Sequence, residues 1–308
     1  MLKRTLFFSK RGHIRMAMEQ LLYEIKVDNQ KETHRFPLED VGCIVIESTQ
    51  ITLTAYALQA LAGNNTSVIF CDTTGMPSAF MLPHASHTLT QRHVADQLAA
   101  TEALKNRLWR QTVAAKIINQ AACLQAGGKD GAARLRLYLK KIKSGDSGNC
   151  EAQAAKAYFA YHADGRFQRN PEGGMPNPAL NYGYAILRAA TARALVGSGL
   201  IGMVGIHHHN QYNDFALADD IMEPYRPFVD DIVLNQPKLF PLNAPELTRL
   251  MKAALLSVLA VDVQMGALKR PLMNALSMTT ASLVRCLQKK ETIIAYPTFP
   301  SPCRPTPP

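Results

Sequence analysis

One stretch of the chain, residues 205–227, gathers the side-chain types that bind metal ions, and it reads GIHHHNQYNDFALADDIMEPYRP. Three of the nine histidines stand in a row at 207–209, and they are followed by Asp219, Asp220 and Glu223. On a helix, carboxylates three or four residues apart share a face, with Cβ atoms about 5–6 Å apart. Such carboxylates repel each other, and a bound hard divalent cation would offset that repulsion. An acidic first turn of a helix, favoured by the helix dipole, explains the same residues equally well.

The three histidines cannot all bind one ion, because consecutive side chains point in different directions. One or two of them beside carboxylates suit Mg²⁺ or Mn²⁺, whereas zinc usually recruits more nitrogen or sulfur. A solvated loop is the alternative interpretation of the run. Glu151 is a further candidate ligand, since it opens the helical stretch EAQAAKAYF with almost no other acid nearby. A glutamate that interacts with the helix dipole would also stand there.

The charge of the chain favours a polyanionic partner, with nucleic acid ahead of a membrane. The formal net charge is +10 over 308 residues, and residues 85–150 hold eleven basic residues against four acidic ones. The run RLRLYLKKIK within this segment supplies five candidate phosphate contacts: Arg134, Arg136, Lys140, Lys141 and Lys143. A solvated helix face has the same composition. Further candidates for DNA contact are Arg92, Lys116, Arg166, Arg169 and Arg226.

The cysteines and the apolar runs indicate a cytoplasmic protein. The six cysteines lie far apart with no C-x-x-C pair, which argues against a disulfide framework and against a cysteine-type zinc site. The longest apolar stretch, 194–206, is too short to cross a bilayer. We therefore expect no association with a membrane.

The order of elements predicts an α+β fold, with a small β-rich N-terminal domain followed by a larger, mostly α-helical domain. Within residues 1–82 the runs RTLFFS, CIVIES, TSVIFCD and SAFML are typical of strands, and residues 14–27 alternate like a hairpin. The segment TLTAYALQALAG predicts a helix that ends at Gly63.

Residues 83–88 are the predicted linker, and residues 89–295 are predicted to be helical. The helices expected there include an unbroken one over 89–126, one that ends near Gly197 and Gly199, and two around 244–261 and 267–290. The Pro-rich tail 296–308 is expected to be disordered.

Three segments together resemble a known family. HHNQYNDFALADDIMEPYRPFVD, NPALNYGYAILRAATARALVGSG and EAQAAKAYF are similar to the CRISPR spacer-acquisition integrase, the CRISPR-associated endonuclease common to most CRISPR systems. The compact version found in type II systems is the most similar, and the resemblance covers nearly the whole chain. The larger domain is therefore expected to be catalytic, and the β-rich domain is expected to make a homodimer contact.

The resemblance also implies which residues form the metal site. The family's glutamate at a helix start corresponds to Glu151, its histidine in a G-x-x-H segment corresponds to His208, and its last acid corresponds to Glu223. Asp220, one turn earlier, is then either a neighbour of the site or a residue that contacts one of its ligands. Ala152 replaces the usual glycine after the glutamate, and Lys156 stands where arginine is common.

The implied reaction joins the 3′-hydroxyl ends of a short DNA duplex to phosphodiesters of a CRISPR repeat, with Mg²⁺ or Mn²⁺ as cofactor. The implied partners are double-stranded DNA and the small second protein of CRISPR adaptation, with two homodimers bound to one dimer of that protein. His208 would act as a metal ligand, a proton shuttle or both. Two alternatives are a stand-alone metal-dependent DNA nuclease of repair or recombination, and a DNA-binding scaffold whose acidic cluster is vestigial.

Overall fold

The computed structural model describes residues 3–28, 30–84, 87–162, 167 and 169–300, and these form an α+β fold. The strands predicted in the N-terminal part and the helix that ends at Gly63 are confirmed. The elements of this part are β1 (Arg4–Phe8), β2 (Gly12–Ala17), β3 (Gln20–Val27), β4 (Gln30–Pro37), β5 (Val41–Ile46), β6 (Ile51–Leu53), α1 (Ala55–Gly63), β7 (Ser67–Cys71) and β8 (Pro77–Met81).

These strands form two four-stranded sheets. In the first sheet, of order β1-β5-β7-β8, the strands β1, β5 and β7 are parallel and β8 is antiparallel to β7. The second sheet has the order β4-β3-β2-β6, and its antiparallel β2 and β3 form the predicted hairpin, with Ile14 opposite Tyr23. The chain crosses from β5 through α1 to the parallel β7, which makes a strand–helix–strand unit.

Strand β5 lies between the two hydrophobic cores of the molecule, and all its residues are buried. Because side chains alternate along a strand, its two faces pack against different partners. Ile44 and Ile46 belong to the core of the N-terminal part, whereas Cys43 and Val45 belong to the core of the helical part. The first sheet is therefore a wall against which the helices pack.

The helical part is arranged around α3, whose buried residues face α4, α5 and α8. Within the described ranges, no helix is both long and apolar enough to span a membrane. The elements of this part are α2 (Thr90–Leu98), α3 (Glu102–Ala126), α4 (Ala132–Tyr138), α5 (Cys150–His162), α6 (Asn177–Gly197), α7 (Ala216–Met222), α8 (Arg226–Leu234), α9 (Arg249–Leu256), β9 (Asp262–Met265), β10 (Leu268–Pro271) and α10 (Leu272–Leu287).

Two of the predicted helices differ in the structure. The single helix expected over 89–126 is broken between α2 and α3, because the Thr101 side chain accepts a hydrogen bond from the backbone of Leu104 and caps a new helix (3.3 Å). The helix expected around 267–290 begins only at Leu272, because the residues before it form the second strand of the hairpin β9–β10. Gly266 lies in the turn of that hairpin at φ +58°, a conformation that glycine adopts without strain.

The beginning of the Pro-rich tail is also different from the expectation, because residues 296–299 pack against the protein. The Tyr296 hydroxyl bonds that of Thr112 (2.7 Å), and Phe299 stacks on Phe228 with ring centroids 4.3 Å apart. Thr298 exchanges both backbone hydrogen bonds with the β9 residue Gln264 (2.9 Å each). The expectation of disorder rested on the many prolines, whereas the aromatic side chains of this segment supply the apolar surface that packs. Residues 301–308 lie outside the described residues.

Candidate active site

Glu151 lies in the first turn of α5, where a second acid fixes its position. The Asp146 carboxylate accepts hydrogen bonds from the backbone N–H groups of Cys150 and Glu151, both at 2.9 Å. These bonds satisfy two of the N–H groups that a helix start leaves without partners. The Glu151 side chain remains 23% exposed and points toward α3. Asp146 thus caps the helix, and the Glu151 side chain is left to bond a residue of α3.

His208 is held by Asp220, which lies on α7 and is completely buried. The Asp220 carboxylate accepts hydrogen bonds from three successive backbone N–H groups, those of Ile206 (2.6 Å), His207 (3.0 Å) and His208 (3.2 Å). The loop wraps so closely that a Cβ on Gly205 would lie 2.8 Å from an Asp220 oxygen. The glycine of the G-x-x-H segment is therefore needed for this wrapping.

The same carboxylate orients the His208 ring. Nδ1 of His208 lies 2.6 Å from Oδ1 of Asp220, so Nδ1 is the nitrogen that donates its proton. This hydrogen bond raises the pKa of His208, and burial partly opposes the rise. In the neutral ring Nε2 then has a free lone pair, which is the arrangement of carboxylate–histidine–metal triads.

The three consecutive histidines have three different surroundings. The His207 ring stacks on the buried Trp109 ring, with centroids 4.1 Å apart and planes at 3°, and burial lowers the pKa of His207. The His208 ring meets the same Trp109 edge-on at 5.8 Å, and the His209 side chain is exposed. Trp109 therefore supports the loop through His207, while His208 faces the carboxylates.

Glu223 begins the short 3₁₀ turn after α7 and is 5% exposed. Its Oε1 accepts a hydrogen bond from Nη1 of Arg226 at 2.7 Å, and its Oε2 contacts the Lys116 ammonium. Burial raises the pKa of Glu223, but Arg226 and then Lys116 outweigh burial and hold the pKa at about 2. Glu223 is therefore ionised at neutral pH.

Lys116 connects the two glutamates. Its Nζ lies 2.6 Å from Oε1 of Glu151 while it contacts Oε2 of Glu223. Two oxygens that both contact one ammonium at this range lie within about 6 Å of each other. The structure thus brings Glu151 and Glu223 to one place, and both carboxylates act electrostatically on His208.

The donor types fit a hard divalent cation, although a cation of the protein stands between the carboxylates. Over the residues that the structure describes, no three His, Cys, Asp or Glu side chains already converge closely enough to hold an ion. The buried Oε2 atom of Glu223 has the Lys116 ammonium as its contact. Two carboxylates and an oriented imidazole match the preferences of Mg²⁺ and Mn²⁺.

Asp219 does not belong to this group. It forms a two-bond ion pair with Arg188, with Nε to Oδ1 at 2.6 Å and Nη2 to Oδ2 at 3.0 Å, and it accepts a third bond from Asn213 at 2.8 Å. Helical spacing alone placed both Asp219 and Asp220 near Glu223. Their hydrogen-bond partners now distinguish the two residues. Asp220 holds the histidine loop, and Asp219 binds to α6.

Two adjoining cavities open beside Glu223 and share Arg169, Tyr184 and Arg226. The larger has a volume of about 550 Å³, and its walls include Lys116, Lys156 and the rings of Phe159 and Phe167. The smaller, of about 380 Å³, contains His208 and Glu223. Cations and aromatic rings in one cavity suit a nucleotide, whose phosphate and base need those two contacts.

The basic run lies on the surface, and it leads along the chain to the helix of Glu151. Leu135 and Ile142 in the run are buried, whereas the basic side chains Arg134, Arg136, Lys140, Lys141 and Lys143 are all exposed. A candidate DNA contact surface therefore precedes α5.

The other candidate DNA contacts are distributed differently. Arg226 does not belong to the exposed surface, because it pairs with Glu223 and lies over the Tyr184 ring at 4.2 Å. Arg169 bonds Asn177 at 2.7 Å and Asn181 at 2.5 Å. Arg92 is exposed, and Arg166 lies outside the described residues.

The sequence indicated Lys116 only as a candidate DNA contact, not as the partner of the two glutamates, and it did not indicate Asp230 at all. Lys116 is four residues after Thr112 and three after Val113, so helical spacing places a lysine on the buried stripe of α3, and this signal was available. Asp230 is 2% exposed and accepts bonds from the hydroxyls of Tyr184 and Tyr158. No local pattern predicts the bonds of Asp230 with these two tyrosines, because the three residues come from separate helices.

Known proteins resemble the chain in sequence and in fold. The family model for the CRISPR associated protein Cas1 matches residues 6–239. The CRISPR-associated endonuclease Cas1 of Neisseria meningitidis serogroup C (strain 8013) is 38% identical over 261 residues, which are 84% of each protein.

The fold is shared with more distant solved structures. A casposase bound to integration product has a TM-score of 0.77 at 19% identity, with 95% of this chain and 92% of that chain covered. A Cas6-RT-Cas1–Cas2 complex has a TM-score of 0.69 at 19% identity, covering 96% of this chain and 36% of that longer one. Since the family model spans most of the chain and the Neisseria relative is similar along most of its length, this chain is a member of the CRISPR-associated Cas1 family.

Proposed function

We propose that this chain is a metal-dependent DNA integrase of CRISPR adaptation, which joins the 3′-hydroxyl ends of new spacer DNA to a CRISPR repeat by transesterification. The observation that carries the proposal is the meeting of Glu151 and Glu223 beside a His208 ring oriented by Asp220. The names of the relatives support it, since one is an endonuclease and another is bound to an integration product.

Each part of the site has a task in this reaction. Glu151, His208 and Glu223 would hold Mg²⁺ or Mn²⁺, which when bound would favour deprotonation of the attacking hydroxyl and offset charge that develops on the phosphate. The cavity lined by Lys116, Lys156 and Arg169 would receive the DNA end, and its cations would position the phosphates. The Asp220–His208 bond keeps Nε2 available to a ligand, and His208 would also be able to carry a proton.

The partners follow from the same comparison. A structural neighbour is named as a complex of Cas1 with Cas2, and another is named as bound to an integration product. We therefore propose double-stranded DNA and the small second adaptation protein as partners, with the β-rich part forming a homodimer contact. Cytoplasmic location remains part of this proposal.

A strand-joining assay tests the proposal. The purified chain and its small partner are mixed with a short duplex bearing 3′-hydroxyls and a supercoiled plasmid that carries the repeat, in Mn²⁺ or Mg²⁺. We expect covalent joining by the wild type, which Glu151→Ala, His208→Ala and Glu223→Ala abolish while DNA binding survives.

The endonuclease name of the Neisseria relative gives the competing function a basis, since water in place of the 3′-hydroxyl would make the same site a nuclease. Nicking of the plasmid without any joining would favour the stand-alone nuclease. Joining that survives all three substitutions would rule out this site.

A further inference from the structure

We infer that Lys116 is the internal counter-ion of the metal site: its ammonium holds Glu151 and Glu223 together in the metal-free protein and withdraws when the metal enters. This inference rests on the proposed function, because it concerns how the same two carboxylates exchange a protein cation for a metal ion.

The first support is the burial and pairing of Lys116. Its side chain is 8% exposed, and its Nζ lies 2.6 Å from Oε1 of Glu151 and in contact with Oε2 of Glu223. Lysine is almost never fully buried without a charged partner. Here one ammonium serves two carboxylates from α5 and from the turn after α7, and it offsets their mutual repulsion.

The second support is that the ammonium and the metal would compete for the same two carboxylates. A Mg²⁺ ion stands about 2.0–2.1 Å from each ligand oxygen. An ion bound to both Glu151 and Glu223 would therefore lie between the two carboxylates, close to the Lys116 ammonium that now contacts both. Two like charges this close repel strongly in a buried site, so metal binding requires Lys116 to move.

The third support is a place to which Lys116 can move. Its side chain lines the cavity of about 550 Å³, and so does Gln120, one helical turn later on α3. Gln120 is 2% exposed, and its Oε1 is a buried acceptor without a hydrogen-bond partner. A lysine that leaves the carboxylates can donate to this oxygen or to a DNA phosphate in the cavity. Metal entry would then prepare the cavity for DNA.

The test compares Mn²⁺ binding by titration calorimetry for the wild type, Lys116→Met and the control Lys105→Met. Lys105 lies on the same helix, about 16 Å away along its axis, and it pairs with Glu102 at 3.0 Å. Because Lys116→Met removes a competing charge-assisted bond, we expect the Kd for Mn²⁺ to fall about tenfold. The Kd of Lys105→Met should equal that of the wild type. The metal-free Lys116→Met protein should also melt at a lower temperature and show a larger rise in Tm with Mn²⁺.

Each outcome decides something different. An equal or weaker affinity in Lys116→Met, beside normal binding by the wild type, overturns the inference and leaves the metal site intact. Failure of both proteins to bind Mn²⁺ overturns the metal site together with the inference.

If Lys116→Met does not fold, acetylation of wild-type lysines, followed by mass spectrometry, decides the question. Lys116 should be protected without metal and react several-fold faster with Mn²⁺, while Lys105 stays constant. Unchanged protection of Lys116 in saturating Mn²⁺ overturns the inference.

Discussion

Replacing Asp220 by asparagine should prevent His208 from acting as the proposed metal ligand, although none of the three proposed ligands is replaced. Oδ2 of Asp220 accepts the N–H groups of Ile206 and His207, so the amide oxygen of asparagine is expected to take that position. The amide nitrogen then faces Nδ1 of His208, where Oδ1 stands 2.6 Å away in the wild type. Since this nitrogen is a donor, it bonds only an unprotonated Nδ1, which moves the ring proton to Nε2.

A proton on Nε2 blocks the nitrogen that would bind the metal. Loss of the residue that orients a metal-bound histidine typically lowers metal affinity 10–100-fold, and we expect a loss in this range for Asp220→Asn. The lost charge-assisted bond and the mismatch at the His208 N–H should lower the free energy of unfolding by roughly 2–4 kcal/mol.

Three measurements check this reasoning: the Kd for Mn²⁺, the tautomer of His208 from imidazole nitrogen NMR, and Tm. Asp219→Asn is the matched control, because the same substitution at the preceding residue affects only the bonds of Asp219 with Arg188 and Asn213. An Asp220→Asn protein that binds Mn²⁺ within twofold of wild type, with its proton on Nε2, would refute the assignment of Nε2 as the metal-binding nitrogen.

Three further predictions concern other parts of the site. In calorimetry, Glu223→Gln should weaken Mn²⁺ binding more than tenfold, whereas Asp219→Asn should change it less than twofold. The reverse order would show that Asp219, and not Glu223, binds the ion. Burial raises the pKa of Asp230 to about 6. Its folded pKa lies above its unfolded value, so the wild type loses stability as pH rises from about 4 to 6. The free energy of unfolding of Asp230→Asn, measured by urea titration, should therefore rise by up to about 3 kcal/mol relative to that of the wild type as pH increases across this window. A difference between the two proteins that does not change with pH would contradict the raised pKa. Replacing both Lys140 and Lys141 by alanine should weaken binding to every DNA sequence and reduce the slope of log K against log salt by about 2; an unchanged slope would exclude this surface.

The sequence predicted the strands and most helices because their patterns are local. The alternation between Ile14 and Val27 matches the hairpin, and the helix expected to end near Gly197 does end there. The hairpin at 262–271 was missed because its strands have only four residues each. Its apolar residues fit a helical period as well as an alternating one. Only the turn at Gly266 distinguishes a hairpin from a helix in this segment.

The candidate site was predictable in its residues but not in its contacts. The motif and the resemblance selected Glu151, His208 and Glu223, and the structure brings the two glutamates together beside the histidine. No spacing rule indicates that Asp220 binds three backbone N–H groups, or that Lys116 from another helix stands between the glutamates. Such contacts depend on how helices distant in sequence pack, and that packing is set by the whole core.

The most direct test of the proposed metal site is a crystal of the protein grown with Mn²⁺ and measured at a wavelength where manganese scatters anomalously. We expect one strong anomalous peak bounded by Glu151, Nε2 of His208 and Glu223, with the Lys116 ammonium withdrawn toward Gln120. A manganese peak elsewhere, with Lys116 still bridging the two glutamates in saturating Mn²⁺, would contradict this expectation.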